Sequence, residues 1–159
     1  MKSDEGGTIR SLEPDFAALI TPGLGLAFLD KRRVTLSGVT IFGERATRDV
    51  WVCGPGAYVV LKALAVRNRG ENKDAYDLYY VLRNYGAGVK DIASVLRPFL
   101  TDEAAIQALA VLRADFLDHQ AIGPRRVAEF VFGGPNDTMQ ADVVGFVSEF
   151  LRLLEAGAP

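Results

Sequence analysis

VLKALAVRNRGENKDAYDLYYVLRNY, residues 60–85, is the stretch whose reading decides the fold. In its second half Asp74, Asp77, Leu78, Val81, Leu82 and Tyr85 recur at i, i+3, i+4, i+7, i+8 and i+11, which is one continuous face of an α-helix. Two carboxylates therefore share a stripe with core residues. A bare carboxylate facing an interior is costly unless it is neutralised, hydrated, or given a cationic or hydrogen-bonding partner. Lys62, Arg67, Arg69 and Lys73 lie a short way upstream as candidate partners. Lys62 and Arg69 are two helical turns apart and nearly eclipsed, with Tyr58 and Ala65 on the same side. Gly70-Glu71 is a connection short enough for an antiparallel helical hairpin. Such a hairpin brings the Asp74/Asp77 end of one helix close to Arg67 and Arg69 of the other and leaves Lys62 more than a turn further along. Two readings stay open. One is an ion-pair network that fixes the hairpin. The other is a polyphosphate or metal-proximal site, in which Lys62 binds phosphate as a point charge and an aspartate orients the lysine or a hydroxyl.

Downstream of Gly54-Pro55-Gly56 the chain reads as helix almost to its end. Pro55 suits a first helical turn and Gly70 a C′ position, which predicts a helix over 55–69. Others are predicted over 72–85, closed by Gly86, and over 89–99, where Pro98 ends the regular hydrogen bonding early. A fourth, with Thr101 as N-cap and Asp102 and Glu103 in its first turn, extends to about 119. A fifth covers 124–132 before Gly133-Gly134-Pro135, and the last covers 138–155 with Asp137 as cap. Upstream, 18–53 has the texture of short strands broken by turn residues. A strand over 24–29, a tight turn at 30–32, a return over 33–36 and a short apolar strand over 39–42 precede a final strand over 45–53. Residues 1–13 are polar and show no clear periodicity, which predicts a flexible leader. The fold class is thus α+β: a small antiparallel β region (18–53) followed by a bundle of five or six helices (55–156), within a single compact domain over 14–159.

A chain of 159 residues can bury a real core, and 49% hydrophobic with 24% charged residues argues against wholesale disorder. The formal net charge of −2 gives no global electrostatic reason to expect nucleic acid or an anionic membrane as partner, although it leaves room for a local basic patch. Cys53 is the only cysteine, so no internal disulfide forms and a reducing, cytoplasmic compartment is the simpler expectation. MKSDEGG lacks the basic and apolar regions of a secretory signal. His119 is the only histidine, which excludes His-based metal clusters within one chain and points to a surface or capping role. Cys53 reads either as a small hydrophobe at a strand end or as a thiol activated by a helix N-terminus. Neither the common phosphate-cradling glycine motifs nor a G-x-S-x-G elbow occurs. Asp115 and Asp118 repeat the i, i+3 carboxylate spacing, there as a solvated face.

The order Val60-Leu-Lys62-Ala63-Leu64-Ala-Val-Arg67 and then Lys73-Asp74-Ala-Tyr-Asp77-Leu78-Tyr79 resembles the AbiEii-type nucleotidyltransferases, the toxin components of a bacterial abortive-infection (toxin–antitoxin) system. Those proteins carry a lysine motif on one helix and a D-x-x-D motif at the head of the next, and Lys62, Asp74 and Asp77 fall on those positions. TPGLGLAFLDKRRVTLSGVTIF and the 45–54 segment also look like the β region that precedes the lysine helix there, so the resemblance covers about 19–85. It implies Asp74 and Asp77 as catalytic positions and Lys62 as a nucleotide-phosphate ligand, with Arg67 and Arg69 of the hairpin as the further phosphate-side cations. The family's catalytic head is a Gly-Ser turn followed by a D-x-D pair that holds Mg²⁺ against a nucleoside triphosphate, and neither pattern occurs in this sequence. The resemblance therefore implies the carboxy-terminal portion of such an enzyme, inactive alone. NTP and Mg²⁺ enter only if a partner chain supplies the missing carboxylates, and no metal ligand is assigned within this chain. The partners implied are a homodimer, an amino-terminal nucleotidyltransferase chain or an antitoxin, with no membrane. A non-catalytic binding, regulatory or dimerisation module is the alternative.

Overall fold

Pro55 and Gly70 bracket the helix around which the remaining elements pack. In the computed structural model, which describes residues 8–13 and 16–156, the chain order is β1 (Thr8–Glu13), β2 (Phe16–Ile20), α1 (Leu26–Leu29), β3 (Lys31–Val39), β4 (Arg45–Cys53), α2 (Pro55–Arg69), α3 (Asn72–Asn84), α4 (Val89–Leu96), α5 (Glu103–Asp115), α6 (Ile122–Phe132) and α7 (Asp137–Glu155). This is the α+β arrangement of a small antiparallel β region ahead of a helical bundle. The bundle is six helices plus the single-turn α1. Helix α2 spans the residues its punctuation predicts, and Gly70 ends it at φ 74°, in the left-handed region that glycine enters without steric penalty.

The apolar stripes explain the packing. Val60 and Ala63 of α2, Leu78 and Leu82 of α3, Leu96 of α4, Leu112 of α5 and Phe150 of α7 are fully buried in one cluster. Helix α2 packs against α3, α4 and α5, while α3 also meets α6 and α7. Buried alanines (Ala57, Ala63, Ala75, Ala105, Ala108) let the helix axes approach closely.

Several boundaries differ from expectation, each for a local reason. Asp102, not Thr101, caps α5, because its carboxylate reaches the N–H groups of Ala104 and Ala105, the second and third residues of the helix. Asn136, not Asp137, caps α7 by accepting from Met139 N–H. Helix α5 ends at Asp115 rather than near 119, since the chain turns to bury the Phe116 ring completely. Pro98 does end the regular helix, and a 3₁₀ turn over Arg97–Phe99 follows α4.

The β region departs further. Thr8–Glu13, within the stretch read as a leader, forms β1 and pairs antiparallel with β2, from Thr8↔Ile20 to Glu13↔Phe16. Residues 1–7 lie outside the described residues. The strand expected over 24–29 is instead helical at Leu26–Leu29, where Asp30 N–H closes onto Leu26 O at 2.8 Å and Leu26 enters the core. A continuous apolar run does not by itself separate strand from helix. Nor do Asp30-Lys31-Arg32 form a hairpin turn. Strand β3 runs unbroken through Ser37-Gly38, paired with β4 from Lys31↔Cys53 to Val39↔Arg45, and the turn falls between Val39 and Arg45.

Asp30 then joins the ribbon to the bundle. Its carbonyl accepts from Gly54 N–H at 2.7 Å and its carboxylate from Ala57 N–H at 2.8 Å, so a side chain twenty-seven residues away caps one of the free N–H groups in the first turn of α2. A Cβ on Gly54 would overlap that carboxylate, which is why glycine precedes Pro55.

Candidate functional site

Helices α2 and α3 form the predicted antiparallel hairpin, and its charges meet on one side. Lys62 Nζ donates to Asp74 Oδ1 at 2.8 Å and to Asp77 Oδ2 at 2.6 Å. Arg69 grips Asp74 through Nε (3.1 Å) and a terminal nitrogen (2.8 Å), and Lys73 donates to both oxygens of Asp77 at 2.9 and 2.7 Å. The long lysine stem covers the extra turn that separated Lys62 from the aspartates in the sequence reading. Asp74 is buried to 3% exposure, and the Lys62 and Asp77 side chains are largely covered. Arg69 and Lys73 keep their heads in solvent.

The electrostatics follow from that geometry. Burial alone would raise the Asp77 carboxyl, but hydrogen bonds from Lys62 and Lys73 outweigh it and hold the group below the ordinary carboxylate range. Burial alone would lower the Lys62 ammonium, and its bonds to Asp74 and Asp77 reverse this, so its proton is held more firmly than usual. Tyr58, whose ring lies 5.6 Å from Lys62 Nζ, is pushed up by burial and stays a neutral phenol. Three cations against two carboxylates leave one net positive charge. The solvent-facing ends of Arg69 and Lys73 are free to meet an anion.

The donor set does not suit a divalent metal. All four oxygens of Asp74 and Asp77 accept from ammonium or guanidinium groups, and three cations surround them. Mg²⁺ prefers carboxylates that are free of competing cations. Among the described residues no group of three or more His, Cys, Asp or Glu is placed to hold a metal ion.

Of the residues singled out in the sequence, Lys62, Arg69, Asp74 and Asp77 come together and Arg67 does not. Arg67 pairs with Asp115 of α5 at 3.1 Å. It lies five residues from Lys62, well round the helix, so both cannot face α3. Lys73 takes its place, a role legible in its i, i+4 spacing to Asp77. A cavity of about 950 Å³ lined by Leu26, Leu64, Arg67, Asn68 and Gln107 opens among α1, α2 and α5 and shares no residue with the charged cluster.

The other candidates resolve into structural roles. His119 Nε2 lies 2.8 Å from Asp137 O, and Gln140 donates to His119 O, so this loop is tied to the start of α7. Asp115 is the partner of Arg67, and Asp118 accepts from Gln120 N–H. Cys53 is half-buried with its thiol toward Gly54 O, and burial, then the nearby Asp30 carboxylate, pushes it up, away from the activated state. Among the described residues no helix is long and apolar enough to cross a membrane.

No protein-family model, curated protein or solved structure matches the chain.

Proposed function

We propose that the α2–α3 face is the phosphate-side half of a nucleotidyltransferase-like site, and that the chain does not transfer nucleotides by itself. The observation that carries this reading is the double grip of Asp74 and Asp77 on Lys62 Nζ, with Arg69 and Lys73 in excess around them. The cluster carries one cation more than it has carboxylates. Here the surplus cation and the open ends of Arg69 and Lys73 favour a polyphosphate, with Lys62 fixed as a point charge rather than as a proton carrier. The AbiEii-type resemblance assigns the same three residues to the lysine and D-x-x-D motifs, and the site is the portion of a toxin-like enzyme that grips phosphate. The metal-holding carboxylates belong to a partner or to chain outside this sequence.

The test is Mg²⁺-dependent incorporation of labelled nucleotide into RNA or protein acceptors by the purified chain. The reading predicts none. Robust incorporation that disappears in Lys62→Ala would overturn it.

A dimerisation module is the second reading, favoured by one surface. Tyr76 stacks on Phe130 with ring centroids 4.7 Å apart, Tyr80 lies beside them, and Phe130, Phe132 and Tyr80 remain exposed. Light scattering separates the two: a dimer that dissociates in Phe130→Ser supports self-association through this face, and a monomer at high concentration counts against it.

A further inference from the structure

The β3–β4 ribbon is where the chain's positive charge and its exposed apolar surface coincide, and none of its residues belongs to the Lys62 cluster. Between residues 31 and 53, Lys31, Arg32, Arg33, Arg45 and Arg48 stand against Glu44 and Asp49, all exposed, in a chain whose formal net charge is −2. Three of the cations are engaged: Arg33 with Asp49, Lys31 over the Trp51 ring, and Arg32 over the Tyr85 ring. Arg45 and Arg48, the two nearest the far end of the ribbon, have no ion pair among the described residues.

That far end is apolar. Ile41 is 94% and Phe42 84% exposed, and Val39 beside them is also exposed. Its backbone, however, is largely closed on itself. Thr40 N–H donates to Glu44 O at 2.8 Å and Gly43 N–H to Thr40 O at 2.9 Å, while the Thr40 hydroxyl accepts from the N–H groups of Phe42 and Glu44 at 3.3 Å each. Four N–H groups of the turn thus carry their partners with them, and that of Ile41 does not, which limits entry to the hydrated boundary above the hydrocarbon core.

We infer that the ribbon tip docks on an anionic lipid bilayer. Val39, Ile41 and Phe42 enter the boundary between headgroups and acyl chains, and Arg45 and Arg48, up to about 10 Å behind along β4, meet the lipid phosphates. Glu44 opposes the phosphates and keeps the immersion shallow. Only the turn and the Val39 end of β3, paired there with Arg45, are immersed, so the rest of the β3 and β4 edges stays in water. A second copy of the ribbon is the poorer occupant, because each ribbon carries five cations against two carboxylates and two of them together repel. Single-stranded nucleic acid would use the cations and stack on Phe42, yet Val39 and Ile41 offer it no further ring. The charge of the whole chain gives no hint of this surface; its distribution does.

The test uses the full chain and vesicles of phosphatidylcholine alone or mixed with phosphatidylglycerol. The protein is expected to sediment with the mixed vesicles at low salt and much less with the neutral ones. Ile41→Ser/Phe42→Ser should weaken binding by about tenfold or more, and Arg45→Gln/Arg48→Gln should abolish the preference for anionic lipid. In Trp51→Phe/Phe42→Trp the single tryptophan sits at the tip, and its emission should shift to the blue on anionic vesicles. These positions lie outside the core, so all variants should melt as the parent does. Absence of binding to anionic vesicles, or equal binding by Ile41→Ser/Phe42→Ser, would overturn the inference. So would a dimer seen by light scattering that the tip substitutions dissociate, or an oligonucleotide that displaces the vesicles while binding that same variant undiminished.

Discussion

Lys62 Nζ lies 2.8 Å from Asp74 Oδ1, on the next helix and twelve residues along the chain. The pair is nearly enclosed, the Asp74 side chain being only 4% exposed. Removing the cation therefore exposes the cost of the carboxylate. In Lys62→Met, Asp74 retains Arg69 and Asp77 retains Lys73, so the loss should be about 2–3 kcal/mol rather than that of a wholly orphaned charge. Denaturant unfolding measures it. In the Lys62→Met/Asp74→Asn double variant the destabilisation should be smaller than the sum of the single losses.

The pH dependence of stability has two edges. Asp77 titrates below its unfolded value, so its contribution is complete above about pH 4 and is lost as pH falls through the lower folded value. Lys62 titrates above its unfolded value, so its contribution is complete below about pH 10 and is lost as pH rises through the higher folded value. Thermal melts across pH should show a plateau between these limits. Asp77→Asn should remove part of the acid-side decline and also weaken the alkaline one, because Asp77 is one of the two carboxylates that raise Lys62.

Asp30 makes a separate prediction at the other end of α2. Asp30→Ala leaves Ala57 N–H uncapped and should destabilise the fold by about 1 kcal/mol. Gly54→Ala drives a methyl into the Asp30 carboxylate and should cost more. Combined with Asp30→Ala it should cost less than it does alone, because the overlapping atoms are gone. Chemical denaturation of the three variants checks the order.

Gly123 abuts the fully buried Phe116 ring, and a Cβ there would overlap it. Gly123→Ala should destabilise by about 1–3 kcal/mol. Gly145, with open space at its Cβ position inside α7, should gain about 0.5–1 kcal/mol on replacement by alanine. Melting of the two variants in parallel should show opposite shifts.

The helical half was legible because its signals are local. Pro55, Gly70 and the apolar stripe of α3 each act within one or two turns, and they placed α2 and α3 within a residue. The meeting of Asp74 and Asp77 with basic residues followed from the short hairpin connection. Arg67 did not follow, since its partner Asp115 lies forty-eight residues away on a helix whose packing no local pattern reveals. Asp30 was hidden for the same reason: its carboxylate works on Ala57, and nothing in the turn-like Asp30-Lys31-Arg32 announces a cap. β1 escaped because its pairing with β2, rather than any periodicity of its own, makes it a strand.

On the proposed reading, the α2–α3 cluster is an anion site as well as a fastening, and calorimetric titration of inorganic triphosphate into the parent chain and into Lys73→Ala tests that most directly. Lys73 is exposed and should be dispensable for folding. Saturable binding that weakens by about tenfold in Lys73→Ala, with unchanged melting, is the predicted result. No saturable binding to the parent chain, or equal binding by both proteins, would contradict it and leave the cluster as an ion-paired brace alone.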